Sequence, residues 1–241
     1  MGGSKDYIPF ANSNLNAYFA ETYGDGVGIT FEEAAAITEF PDGFFPDMVM
    51  QKDGGASSFE ELNYFTGLKS LPDRFCTNTS YRNALTITNL DLPNLESVGY
   101  ECFYGSKLNG CIYLPKLKTA GDWAFQGTEV IHAEFGAEFQ TWPEGLFYDC
   151  TDINTIEVED LQTINDKYFF RASGRHEFVY ITFWNKYTVA TFGVDLDLSS
   201  TYKKNVGIYV KNKFLDTYKS DTNWTDNNTE IIGYRDDNNK N

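Results

Sequence analysis

Across 241 residues the chain carries 35 acidic against 19 basic side chains, a formal net charge of −16, and a surface of that sign repels phosphate backbones and anionic lipid headgroups. Nucleic acid and membrane surfaces are therefore set aside as partners, and no Lys/Arg-rich run offers a local exception. With 41% hydrophobic residues, including 20 Phe, 16 Tyr and 4 Trp, the chain can fill a continuous core and is no disordered acidic polymer.

Met1–Asp6 holds no apolar signal core, which leaves open a cytosolic protein or one whose leader has been removed. Ser13 to Thr22 is expected to be a helix, with Leu15, Tyr18 and Phe19 as its apolar face. Thr30-Phe-Glu-Glu33 is a capping box, flanked by Ile29 and Ala34 as a hydrophobic staple, and should open a helix through about Ile37. Pro41 to Ser58 has two Pro and three Gly and reads as a long loop. Ser58-Phe-Glu-Glu61 reads as a second capping box leading into a repeated region.

That region is periodic. Phe103, Phe125, Phe147 and Phe169 lie 22 residues apart, and eight residues before each stands Leu95, Leu117, Phe139 or Leu161. The flanks match: Leu95-Glu-Ser-Val, Leu117-Lys-Thr-Ala, Phe139-Gln-Thr-Trp and Leu161-Gln-Thr-Ile, with a less regular copy at Leu68-Lys-Ser-Leu and Phe75. A period of 22 falls within the leucine-rich-repeat range. Between the anchors, Leu85-Thr-Ile87, Ile112-Tyr-Leu114, Ala133-Glu-Phe135, Ile156-Glu-Val158 and Val179-Tyr-Ile181 alternate as half-buried strands do. Stacked turns would pair these strands in parallel, about 4.8 Å apart, over an inner ladder of Phe anchors. Pro93 and Pro115 fall where a strand should end. The third repeat runs one residue long, which places an insertion at Gly136-Ala137.

Val206-Gly-Ile-Tyr-Val210 is expected as the last strand, with Phe214, Leu215 and Tyr218 on one helical face as a lid and Asp236 to Asn241 as a solvated tail. The expected architecture is an α/β repeat solenoid: a right-handed leucine-rich-repeat solenoid with one parallel sheet, a helical N-terminal cap and a C-terminal capping helix. Its expected divisions are residues 1–57 as cap, 58–205 as solenoid, and 206–241 as closing strand, helix and tail.

The longest apolar run, Phe178-Val-Tyr-Ile-Thr-Phe-Trp184, is far short of a membrane span. Cys76, Cys102, Cys111 and Cys150 form no CxxC pair, which supports buried free thiols over a zinc site. His132 and His176 are two repeat periods apart, so stacked strands would hold them about 9–10 Å from each other, too far to share one metal ion, and both read as surface residues. No G-x-S-x-G, H-E-x-x-H or phosphate loop occurs, and no carboxylate pair is singled out for glycoside hydrolysis.

Together these features resemble the BspA-like leucine-rich-repeat proteins found on the surfaces of Bacteroides-type bacteria. Three stretches carry the likeness: the L-x-[ST]-[IV]-x-x-x-x-F repeats, clearest at Phe147-Tyr-Asp-Cys-Thr151; the closing segment from Ile208-Tyr-Val to Asn223-Trp224; and the lead-in from Ile8-Pro-Phe-Ala-Asn12 to Thr38. The resemblance implies a secreted or outer-surface protein, lipid-anchored through a leader absent from this chain. It also implies an adhesion or ligand-binding role, with no enzymatic activity and no cofactor. Relatives of the lead-in often hold an EF-hand-like loop. Here Glu21-Thr-Tyr-Gly-Asp-Gly-Val-Gly-Ile29 keeps only Asp25 and Glu33 as oxygen donors and reads as a structural remnant.

The aromatic surplus is mostly core. The positions that alternate outward are Tyr113, His132, Glu134, Glu157, Tyr180 and Thr182, and they form the candidate binding face. The expected ligand is a protein, such as a host extracellular protein. Carbohydrate capture is the alternative and a hydrolase the second alternative.

Overall fold

The computed structural model describes residues 5–41, 44–46, 58–77, 85–169, 178–185, 187–194, 205–225 and 229–234. Most of the expected loop from Pro41 to Ser58, together with His176 and the tail from Asp236, lies outside the described residues.

The chain starts with α1 (Ser13–Thr22), capped by the Asn12 side chain, which accepts from Asn14 N at 3.0 Å and Leu15 N at 3.1 Å. Leu15 and Phe19 are buried and Tyr18 half-buried. Phe19 meets the rings of Phe40, Phe44, Phe59 and Phe65, which seat the helix on the first solenoid turn. The capping box forms at α2 (Phe31–Ala36): Thr30 Oγ1 accepts from Glu33 N, and Glu33 accepts from Thr30 N. Ile29 and Ala34 are fully buried, as a staple requires.

The second expected box does not form. A 3-10 turn, Glu60–Tyr64, starts after Phe59 without a side-chain cap. Tertiary pairing overrides the local cap here: Ser58 bridges Thr86, and Phe59 N donates to Thr86 O. Glu60 accepts from Thr88 N, while Glu61 accepts from Ala11 N at 2.6 Å and ties the lead-in to the first turn.

From there short and long strands alternate as far as Lys211, after which helices take the place of the short strand. In chain order they are β1 (Ser70–Leu71), β2 (Thr86–Asp91), β3 (Ser97–Val98), β4 (Lys107–Leu114), β5 (Thr119–Ala120), β6 (Glu129–Phe135), β7 (Thr141–Trp142), β8 (Thr155–Val158), β9 (Thr163–Ile164), β10 (Phe178–Phe183), β11 (Thr191–Phe192), β12 (Asn205–Lys211) and β13 (Thr229–Tyr234). The long strands build one parallel sheet in the order β13-β12-β10-β8-β6-β4-β2, so the chain climbs one strand per turn. This is the expected sheet. The L-x-[ST]-[IV] segments add two short ladders beside it, β1-β3-β5 and β7-β9-β11.

Register follows the alternation of the sequence. Leu90, Ile112, Ala133, Ile156, Ile181, Ile208 and Ile231 form one inward row across all seven long strands, and all are buried. Beneath them the anchor rings stack. Phe103 and Phe125 lie 5.5 Å apart and 9° from parallel, Phe125 and Phe147 5.4 Å and 13°. Trp142 then links Phe147 to Phe169, at 5.8 and 5.1 Å. The anchor turns repeat a backbone device. Two residues before the anchor, Glu101, Trp123 and Gly145 have left-handed φ of 50°, 62° and 64°; two residues after it, Gly105, Gly127 and Asp149 have 64°, 66° and 60°.

Two expectations are corrected at this level. Val206–Val210 is not the last strand, because β13 adds a further parallel neighbour to β12. Its alternation is weak, Ile231-Ile232 with no polar spacer, so periodicity missed it. The lid is made chiefly by Tyr218 of α3 (Leu215–Ser220) and Trp224 of α4 (Thr222–Thr225), both fully buried, while Phe214 and Leu215 are only half-buried. Trp224 packs on Phe169, Phe183 and Phe192 and closes the core at this end.

Candidate functional site

The six outward positions fall on one face of the seven-stranded sheet. Tyr113, Glu134, Glu157 and Thr182 are directly in register on β4, β6, β8 and β10, and His132 and Tyr180 join the parallel row through Thr155. Tyr113 is 42% exposed; the other five are half-buried. Their inward neighbours, from Ile112 to Ile181, are buried, so the pleat is not slipped by a residue.

The register also brings in residues that the alternation argument did not select. Tyr209 continues the Tyr113 row, and its ring lies 5.9 Å from that of Tyr180. Ile208-Tyr-Val210 alternates and could have revealed it. Tyr180 rests over Gly207, where a Cβ would come within 2.7 Å of the ring. Trp184 donates its indole N–H to Glu157 at 3.0 Å and meets Tyr234 at 5.1 Å. Ile131 is the extra residue of a bulge where β6 passes Gly110–Cys111, and it is 49% exposed.

Cys111 corrects the expectation that all four thiols are buried. Cys76, Cys102 and Cys150 are; Cys111 is exposed, and none of the four is in a disulfide. Alternation accounts for it: Leu108, Ile112 and Leu114 are buried, so Cys111 falls on the outward side with Tyr113, and its N–H donates to Asn89 Oδ1 at 2.7 Å.

The electrostatics of the face are one-sided. Glu134 and Glu157 stand side by side on neighbouring strands, about 4.8 Å apart at the backbone. Partial burial, then the Glu157 charge, raises the Glu134 carboxyl above its usual range, partly offset by His132. His132 Nδ1 shares a hydrogen bond of 2.6 Å with Thr155 Oγ1. The two registered rows contain no Lys or Arg, so they offer carboxylates and aromatic rings without a cation of their own.

The EF-hand-like segment is built otherwise. Asp25 accepts from Lys5 Nζ at 2.8 Å, Tyr7 OH at 2.7 Å and the Val27 and Gly28 amides, which hold its carboxyl far below the ordinary value. Glu33 serves the capping box. Both candidate oxygen donors therefore hold the lead-in against the cap. Among the described residues, no three His, Cys, Asp or Glu side chains are grouped to hold a metal ion, and no helix is long and apolar enough to cross a membrane.

A parallel sheet climbing one strand per turn, closed at both ends by helices, defines a repeat solenoid. Residues 75–191 match the family model of the BspA type leucine-rich repeat region in six copies, so the chain carries a repeat region of that type. No curated protein and no solved structure gives a match.

Proposed function

We propose that the chain is a non-catalytic binding module that holds a protein ligand on the outward face of its seven-stranded sheet. One observation carries this reading: five consecutive strands present Tyr113, Glu134, Glu157, Thr182 and Tyr209 as a single registered row. Tyrosine and tryptophan are effective interface anchors because each offers a large rigid ring with a polar tip. The paired carboxylates favour a partner that brings lysine or arginine, and the net charge of −16 would steer such a partner toward the molecule.

In this reading residues 1–57 and 206–241 cap the solenoid, and 58–205 present the ligand surface. The family supports a surface-associated role. We extend this to a secreted or lipid-anchored adhesin whose ligand is a host extracellular protein.

The test is binding to immobilised extracellular matrix proteins by wild type and by Tyr113→Ala/Tyr180→Ala. Retained thermal stability and circular dichroism would show the variant folded. The expected loss of affinity is at least about 2 kcal/mol, the scale of an anchor residue. A folded double variant that binds like wild type would remove the face as the ligand surface, and turnover of a hydrolase substrate that survives repurification would overturn the non-catalytic reading.

A further inference from the structure

The short ladders are tied from turn to turn by a repeated pair of backbone contacts. Lys69 O accepts from Glu96 N and Ser97 N, Glu96 O from Lys118 N and Thr119 N, and Gln140 O from Gln162 N and Thr163 N. Two residues further on, Leu71 O accepts from Gly99 N, Val98 O from Gly121 N, and Trp142 O from Asn165 N. One step of the series is missing. By the pattern, Lys118 O should take Gln140 N and Thr141 N, and Ala120 O should take the amide of residue 143; none of these bonds forms, and β5 is not paired with β7.

The sequence explains the break twice over. Residue 143 is proline and has no N–H to give. The third repeat also carries its extra residue just upstream, between Phe135 and Phe139. There Gly136 passes so close to Pro115 that a Cβ would lie 2.0 Å from the Pro115 carbonyl oxygen. The result is a cleft of about 330 Å³ between the two ladders, with Lys118, Thr119 and Asp122 on one rim and Glu138, Gln140 and Thr141 on the other.

We infer that this cleft is a saccharide site for a neutral pyranose ring. One rim offers backbone carbonyls and the other backbone N–H groups, and sugar hydroxyls, which both donate and accept, complement the two together. Anions are disfavoured. Lys118 is held by Glu96 at 2.7 Å and Glu138 at 3.5 Å, so its charge is already balanced, and Asp122 and Glu138 line the same space. Half-buried Ala120 supplies apolar surface for the C–H face of a ring. The volume sits at the small end of ligand pockets, as one small ligand requires. One residue beyond Asp122, Trp123 forms a half-buried aromatic cluster with Tyr148 at 5.6 Å and Tyr168 at 5.7 Å, a platform on which the next ring of a glycan can stack. The cleft belongs to the short ladders and is separate from the sheet face.

The test is amide chemical-shift titration of the full chain with the methyl glycosides of glucose, galactose, mannose and N-acetylglucosamine. Inorganic phosphate and triglycine serve as charged and peptide probes. The expected result is saturable shifts at Thr119, Ala120, Gln140 and Thr141 with at least one glycoside. Affinity should fall about tenfold or more in Thr119→Trp, which fills the cleft from an exposed position, and stay unchanged in Tyr113→Ala/Tyr180→Ala. Absence of saturable shifts with all four sugars would overturn the inference. So would shifts centred elsewhere, undiminished binding by folded Thr119→Trp, or saturation of these amides by phosphate or triglycine instead.

Discussion

Asp166 shows how a single residue couples the core to pH. Its carboxylate is buried beside the anchor stack, where it accepts from Trp142 Nε1 at 3.2 Å and from Tyr168 N at 2.8 Å, and so fixes the indole that bridges Phe147 and Phe169. A cavity of about 30 Å³, room for one water, adjoins it. Burial outweighs these hydrogen bonds and pushes its pKa up to about 6 from 3.8. A raised pKa means that the folded state binds the proton more tightly. The resulting stabilisation is complete below about pH 3.8 and is lost as pH rises through about 6. Asp166→Asn removes this component, since its lost acceptor costs the same at every pH. The wild type should lose on the order of 1–3 kcal/mol more than the variant between pH 4 and 7, read from denaturant midpoints. Parallel stability curves would show that Asp166 titrates as an ordinary surface acid.

At the scale of elements, the Phe stack is the spine of the solenoid. Phe125 has no exposed surface and stacks on a ring above and a ring below, so Phe125→Ala leaves a cavity that rigid neighbours cannot fill. The expected cost is about 3–5 kcal/mol in chemical denaturation, and wild-type stability would refute the stack. This spine, the helix α1, the Thr30 capping box and the sheet register were legible because each rests on a local period or a local hydrogen-bonding pattern. What was not legible depended on contacts between turns. Ser58 has the form of a cap, yet pairing with Thr86 claims its backbone. Cys111 is a different case: residue type suggested a buried thiol, although the alternation of Ile112-Tyr113-Leu114 already sets it outward. The break at Pro143 has a sequence signal, a proline where its counterparts are Gly99, Gly121 and Asn165, but it becomes visible only when the turns are stacked. The six face residues were found by alternation, whereas Trp184 and Tyr234 reach the same face from strand ends, where alternation no longer constrains them.

At the scale of the whole molecule, helices close both ends of the core, which leaves the sheet face as a broad surface built from one strand per turn. Cys111 offers a native probe of it. It lies two residues from Tyr113 and in register with His132, while burial pushes the Cys150 thiol up to about 11 and the Cys102 thiol higher still. In the folded protein a maleimide should therefore label Cys111 alone of the four cysteines. The central claim, that a protein ligand lies on this face, is tested most directly by the rate of Cys111 labelling with and without a saturating amount of the extracellular protein found to bind. The expected result is about tenfold slower labelling in the complex, with the rate restored when the ligand is competed away. An unchanged labelling rate in the saturated complex would contradict the claim.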